Sequence, residues 1–399
     1  GANIEDAASI QVSREGFEGL STLIPAVIPT DPIPLDPIDQ GSPPLFEIHL
    51  TNGWIGLEAT DVDLVPGNDV LDVTIDILVA RSTDGGRSFP TFTVAVDEAV
   101  GVEQLDKPFI AVDGRGTSPF HGTIYLSYSR FGTSTPSLSV EIRVVVSRDG
   151  GFTWSPPLTL SPVAQFPDEV QGSFPVVGPD GAVYGFWADF RVPTGPLRIV
   201  FSKSGDGGAT WGSPVDVATL LPSPGIFELK NANPDFGRVP NSGVLANSFP
   251  VAAIAPEGSI GVVWVDFPQG SCVPVSSFSA ACTNADVRLS ISRDGGSTWT
   301  APAKVSDEAD LTDQFLPWLA VHPNGLLSIS WLDRRLDPDN VNYDAFYTNT
   351  PDGRAFLPNI RVSSVSSLLG ATFRIGDYTG LAASGDAIHS AWPDLRVPS

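Results

Sequence analysis

One octapeptide recurs along this chain and limits its fold more than any other feature. It reads Ser82-Thr83-Asp84-Gly85-Gly86-Arg87-Ser88-Phe89, then Ser147-Arg148-Asp149-Gly150-Gly151-Phe152-Thr153-Trp154. It returns as Ser204-Gly205-Asp206-Gly207-Gly208-Ala209-Thr210-Trp211 and Ser292-Arg293-Asp294-Gly295-Gly296-Ser297-Thr298-Trp299. A worn copy follows at Thr350-Pro351-Asp352-Gly353-Arg354-Ala355-Phe356. The chemistry is that of a hairpin turn: the Asp bonds back to nearby amides, the glycines take positive φ, and the aromatic pins the turn to its sheet. Repetition at this spacing marks a chain built of like units.

Each turn is preceded by an alternating strand ending in Trp-x-Asp, often with an Arg two residues on. Examples are Trp187-Ala188-Asp189-Phe190-Arg191, Trp331-Leu332-Asp333-Arg334-Arg335 and Trp392-Pro393-Asp394-Leu395-Arg396, with Trp264-Val265-Asp266 a shorter form. A strand such as Phe174-Pro175-Val176-Val177 or Leu316-Pro317-Trp318-Leu319 lies upstream, and one such as Ile360-Arg361-Val362-Ser363 lies downstream of the turn. Each unit is then a four-stranded antiparallel meander. The expected units are 45–100, 104–163, 165–220, 245–306 and 314–363, with a last starting near 372. Stacked radially, these make an all-β, six-bladed propeller, which accommodates 399 residues without separate cores.

The repeated S-x-D-G-G-x-T-W resembles the Asp box (BNR repeat) of sialidase-like propellers. Asp106-Lys107-Pro108-Phe109 and Gly376-Asp377-Tyr378-Thr379-Gly380-Leu381 are similar to segments of bacterial exo-sialidase-like proteins. The resemblance implies structural roles for Asp84, Asp149, Asp206, Asp294 and Asp352. It also implies a site in which Tyr378 is the nucleophile, Asp106 the acid, and Arg374, Arg335 and Arg191 clamp a substrate carboxylate. The family's N-terminal Arg-Ile-Pro element is missing from the first unit, and Glu228 is the nearest candidate partner for the Tyr. A motif present in most units also has a plain structural meaning: Trp and Asp two apart share one face of a strand and serve the packing of every blade.

Charge narrows the partners. Lys and Arg number 22 against 46 Asp and Glu, a net charge of −24, which disfavours nucleic acid. No apolar run is long enough for a membrane span. The four His have no metal-ligand spacing. Asp337, Asp339 and Asp344, with Asn340 and Asn342 between them, are the candidate calcium ligands, and no other cofactor is expected. Cys272 and Cys282 should close a disulfide loop, which implies an oxidising, extracellular setting. The absence of Met, even at Gly1, fits a product whose leader has been removed.

After Trp392-Pro393-Asp394 the chain stops at Ser399, so the last unit should hold two strands and an open edge. An N-terminal arm, residues 1–28, carries strand-like Ala8-Ser9-Ile10-Gln11-Val12-Ser13, and a proline-rich linker, 29–44, joins it to the propeller at 45–399. The arm is expected to complete the last blade of its own chain or of another copy, the latter building oligomers or filaments. The functional expectation is therefore a secreted, non-catalytic interaction or structural protein. The alternatives are a sialidase-like exo-glycosidase and a glycan-binding lectin.

Overall fold

The computed structural model of the protein describes residues 10–12, 46–51, 54–64, 71–83, 86, 88–97, 103–132, 139–165, 169–190, 197–220, 226–231, 244–274, 280–369, 375–384 and 387–395. Asp84, Arg191, Arg374, the 29–44 linker and the arm apart from 10–12 lie outside the described residues. Among the described residues every regular element is a strand, and no helix is long and apolar enough to cross a membrane.

The first sheet is β1 (Ile10–Val12), β2 (Phe46–Thr51), β3 (Trp54–Leu64), β4 (Leu71–Arg81) and β5 (Thr91–Val96), in that order. The second holds β6 (Glu103–Val112), β7 (Ile124–Gly132) and β8 (Ser139–Ser147), with β9 (Leu158–Thr159) and β10 (Ala164–Gln165) on its outer side. The third is β11 (Val170–Val177), β12 (Val183–Asp189), β13 (Arg198–Ser204) and β14 (Val215–Thr219). The next eight strands are β15 (Ile226–Leu229), β16 (Val244–Asn247), β17 (Val251–Ile254), β18 (Ile260–Asp266), β19 (Ser271–Pro274), β20 (Ala280–Thr283), β21 (Asp286–Ser292) and β22 (Ala303–Lys304). They interleave two sheets: β17-β18-β21-β22 continues the meander series, while β16-β15-β20-β19 forms an accessory sheet. The fifth meander is β23 (Gln314–Val321), β24 (Leu327–Asp333), β25 (Asp344–Thr350) and β26 (Ile360–Arg361), and β27 (Gly380–Ser384) pairs with β28 (Ala387–Ala391).

The first strands of successive meanders touch in turn: β6 meets β11, β11 meets β17, β17 meets β23 and β23 meets β27. This succession around one axis is the plan of a β-propeller.

The repeated turn behaves as its chemistry requires. Gly208 N–H donates to Ser204 Oγ at 2.9 Å, and Thr210 N–H and Oγ1 donate to the two Asp206 oxygens at 2.9 and 2.5 Å. Asp149 and Asp294 bind Thr153 and Thr298 in the same way. Asp352, lacking the Thr, takes the amides of Arg354 and Ala355, both at 2.9 Å. The turn's aromatic packs on its own sheet, as Trp211 does beside Gly185, and reaches the preceding sheet as well. Trp299 lies edge-on to Phe201 at 5.9 Å, and Trp154 Nε1 meets Thr93 Oγ1 at 3.4 Å. The turn is thus also the fastener between neighbours: Arg148 donates to Gly207 O at 2.8 Å and Arg293 to Asp352 O at 3.2 Å.

Trp187, Trp264 and Trp331 are buried, and Trp331 Nε1 donates to Asp333 Oδ2 at 2.7 Å. The indole of the Trp-x-Asp motif thus packs in the interior of three successive meanders.

Two terminal expectations meet different outcomes. Two strands, β27 and β28, make up the last sheet among the described residues. Ile10–Val12 does not pair with it: Ile10 sits opposite Ile48 and Val12 opposite Phe46, so the strand extends the first sheet. The alternation of that sheet's β2 offers a free edge of the same pattern much nearer in sequence.

Candidate functional site

The inner strands share one irregularity. Pairing skips between Asp106 and Phe109 in β6, between Gln171 and Phe174 in β11, and between Phe315 and Trp318 in β23. The bulged residues Lys107, Gly172 and Leu316 take φ of 54°, 70° and 48°. A bulge re-aims the side chains around it. Here it does so at the end opposite the Asp turns, since those turns begin where Ser147, Ser204, Ser292 and Thr350 face the starts of the second strands. At Gly172 an added Cβ would stand 2.2 Å from the Phe249 ring, so glycine is what admits that ring.

The result is a concave mouth lined by Phe109, Phe174, Phe249, Trp318 and Tyr378, with Asn247 and Asp377 at its rim. Phe109 is 4.9 Å from Phe174, 5.5 Å from Tyr378 and 6.0 Å from Trp318, in tilted and edge-on contacts. Rings so arranged offer faces and edges to a flat apolar surface.

Beside the mouth lies a polar cluster. Lys107 Nζ is 2.5 Å from Asp377 Oδ2, 3.8 Å from Asp106 Oδ1 and 5.0 Å from the centre of the Tyr378 ring. Gln171 Nε2 donates to Asp106 Oδ2 at 2.6 Å, and Lys107 N–H donates to Asp106 Oδ1 at 2.8 Å. The Gln171 carbonyl oxygen is buried and has no hydrogen-bond partner among the described residues. Glu169, next to the start of β11, has its carboxyl pushed up to about 7, by burial first and by the charge of Asp106 second. Two carboxyls in one environment, one proton-bearing near neutrality and one bonded as an acceptor, is the arrangement acid–base chemistry uses.

Of the residues expected at the site, Asp106 and Tyr378 are brought together through Lys107 and Asp377. Arg335 is engaged elsewhere: it binds Asp307 at 2.6 Å, Asp333 at 2.7 Å and Glu308 at 2.9 Å, and rests on the Phe346 ring at 4.5 Å. Those carboxylates hold the guanidinium in a structural knot, so Arg335 is corrected from clamp to scaffold. Glu228 is wholly buried in β15 of the accessory sheet. Glu169 carried no motif, and its part depends on Asp106, far away in sequence; only its position before an inner strand could have flagged it.

The acidic loop 337–344 also resolves into local bonds. Asp337 accepts the amides of Asp339, Val341 and Asn342, and Asp344 is bound by Arg361, Ser363 and Ser366. Asp339 also accepts from Lys230 Nζ at its main-chain oxygen, at 2.6 Å. Among the described residues, no three His, Cys, Asp or Glu side chains converge as a metal site. The Cys272–Cys282 disulfide is present, joining directly opposed residues of β19 and β20. The accessory sheet packs Phe227 and Val244 into a core with Phe315 and Leu316, and its Asn247 lines the mouth.

No protein-family model and no curated protein matches the chain. Solved structures do. The α-L-arabinanase of Penicillium chrysogenum complexed with arabinobiose is 14% identical, with 78% of this chain and 91% of that one covered and a TM-score of 0.42. The intramolecular trans-sialidase of Ruminococcus gnavus, in complex with oseltamivir carboxylate, is 11% identical, with coverage of 84% and 86% and a TM-score of 0.47. A polysaccharide lyase of the ulvan lyase family PL25 is 12% identical, with coverage of 84% and 72% and a TM-score of 0.46.

Proposed function

We propose that the chain is an extracellular glycoside hydrolase built on a six-bladed propeller, with the aromatic mouth as its sugar site. The six blades are the five meanders and the β27–β28 sheet. What supports the reading is the cluster of Asp106, Lys107, Gln171 and Asp377 beside the aromatic mouth, together with the Glu169 carboxyl, raised to about 7 by burial and by the charge of Asp106. Glu169 gives its proton to the leaving glycosidic oxygen as the C–O bond breaks. Asp106, held by Gln171 and the Lys107 amide, steadies the positive charge developing on the sugar and takes a proton from the attacking water. Trp318 and its neighbouring rings receive the apolar face of the sugar, and the unpartnered Gln171 oxygen is an acceptor for a sugar hydroxyl.

With Arg335 committed to three carboxylates, neutral glycosides take precedence over sialosides as substrates. The test is turnover of a panel of aryl glycosides, neutral pentosides and hexosides with a sialoside beside them. Wild type should hydrolyse at least one, and Glu169→Gln and Asp106→Asn should each lower kcat by about 10²–10⁴. Binding of sugars to an unreactive wild-type protein, abolished by Trp318→Ala, would replace hydrolase with lectin.

A further inference from the structure

Lys107 stands out from its equivalents. The bulge positions in the third and fifth meanders carry Gly172 and Leu316, neither able to form an ion pair, whereas Lys107 places an ammonium there with only 10% of its side chain exposed. That ammonium leaves its own sheet and binds Asp377, in the segment that leads into β27. The bond joins the second meander to the segment before the last sheet, beside the Phe109–Tyr378 ring contact at 5.5 Å, and it is an asymmetric link in a repeating frame.

The segments on either side of the last sheet also bind the fifth meander, through Thr379 Oγ1 to Leu316 O at 3.0 Å, Tyr343 Oη to Pro393 O at 2.9 Å, and Trp392 and Leu395 packed on its core; the side-chain face of that meander differs from those of the others. The face that receives the next sheet is aromatic in the third meander, where Phe186 and Phe201 meet Trp299, and aliphatic in the fourth, where Leu289 and Ile291 lie under Gly353. On the fifth meander the corresponding residues are polar. His322 Nε2 bonds Ser328 Oγ at 2.9 Å, Ser328 Oγ bonds Tyr347 Oη at 2.9 Å, and Asn349 Nδ2 donates to Tyr347 Oη at 3.2 Å. A face of hydroxyls and amides excludes less apolar surface than one of aromatic rings, so an added ion pair contributes proportionately more there.

We propose that the Lys107–Asp377 pair is the clasp that docks the β27–β28 sheet and, in the same contact, fixes Tyr378 and Asp106 at the mouth. Lys107 is a positioning residue: its ammonium faces the Tyr378 ring and two carboxylates, and it acts through them. The docking half stands on geometry alone; the effect on the site rests on the function proposed above.

The experiment is amide hydrogen exchange combined with kinetics on Lys107→Met, Asp377→Asn, the double variant and Lys107→Arg. Each single variant should speed exchange in 380–391 on the order of tenfold, with exchange in 183–204 unchanged. The double variant should be little faster than Lys107→Met alone, because the two singles share the Lys107–Asp377 bond, and Lys107→Arg should restore most of the protection. KM for the responsive glycoside should rise in step with exchange. Unchanged exchange in the single variants, or effects that add in the double, overturns the clasp. If exchange behaves as expected while wild type hydrolyses no glycoside, the clasp stands and the hydrolase reading falls. If glycosides are hydrolysed and the variants alter neither exchange nor KM, the reverse holds.

Discussion

At Gly296 the backbone holds φ 93°, and an added Cβ would stand 2.3 Å from the Phe201 ring of the preceding sheet. Gly205, in the neighbouring turn, has open space around it and no positive φ. Gly296→Ala should therefore cost about 3 kcal/mol in urea unfolding, and Gly205→Ala almost nothing. Equal effects would show that the turn does not press on its neighbour. The turn carboxylates add a pH dependence. Asp149, Asp206 and Asp294 are held down to about 2, chiefly by the Thr hydroxyl that each accepts. Their folded values lie below the unfolded one, so their contribution is complete above the ordinary Asp range and lost as pH falls through about 2. The melting temperature should drop between pH 4 and pH 2. The triple Asp→Asn variant should begin lower and fall less steeply, and an unchanged slope would refute the assignment.

Among the elements, those whose signals are local were legible in the sequence and those assembled at long range were not. The turns could be read because Ser204, Asp206, Gly208 and Thr210 bond one another within a few residues. Trp331 and Asp333 could be read because both lie on one strand face. The accessory sheet could not: its central contact is a parallel pairing of β15 with β20, between insertions on either side of β17 and β18. No short pattern announces such a pairing. Arg335 was misread for the related reason that Asp307 and Glu308 approach it from another segment. The motifs pointed to Asp106 and Tyr378, which the fold places near one another, whereas the nearness of Glu169 to Asp106 depends on β6 and β11 lying side by side. The accessory sheet yields its own prediction. Removing the disulfide with Cys272→Ser, which reopens a loop of sequence separation 10, should destabilise by about 2–3 kcal/mol. Because Asn247 joins this sheet to the mouth, sugar affinity should weaken as well. Unchanged unfolding and affinity would show the sheet to be an ornament.

For the whole molecule, like units packed in succession bring the starts of their inner strands to one place, and the departures from repetition gather there. Lys107, Gly172 and Leu316 occupy equivalent bulges yet differ in charge, size and shape. Glu169 and Asp106 come from adjacent meanders, and Asp377 and Tyr378 from the last connection. A symmetric frame thus carries one asymmetric site, which is what catalysis requires and scaffolding does not. The most direct measurement is the pH dependence of kcat/KM for the responsive glycoside between pH 4 and pH 9. With Glu169 as the acid at about 7, the rate should fall about tenfold per pH unit above that value, and the falling limb should vanish in Glu169→Gln. A rate that stays level to pH 9, or a falling limb that survives Glu169→Gln, would contradict the account.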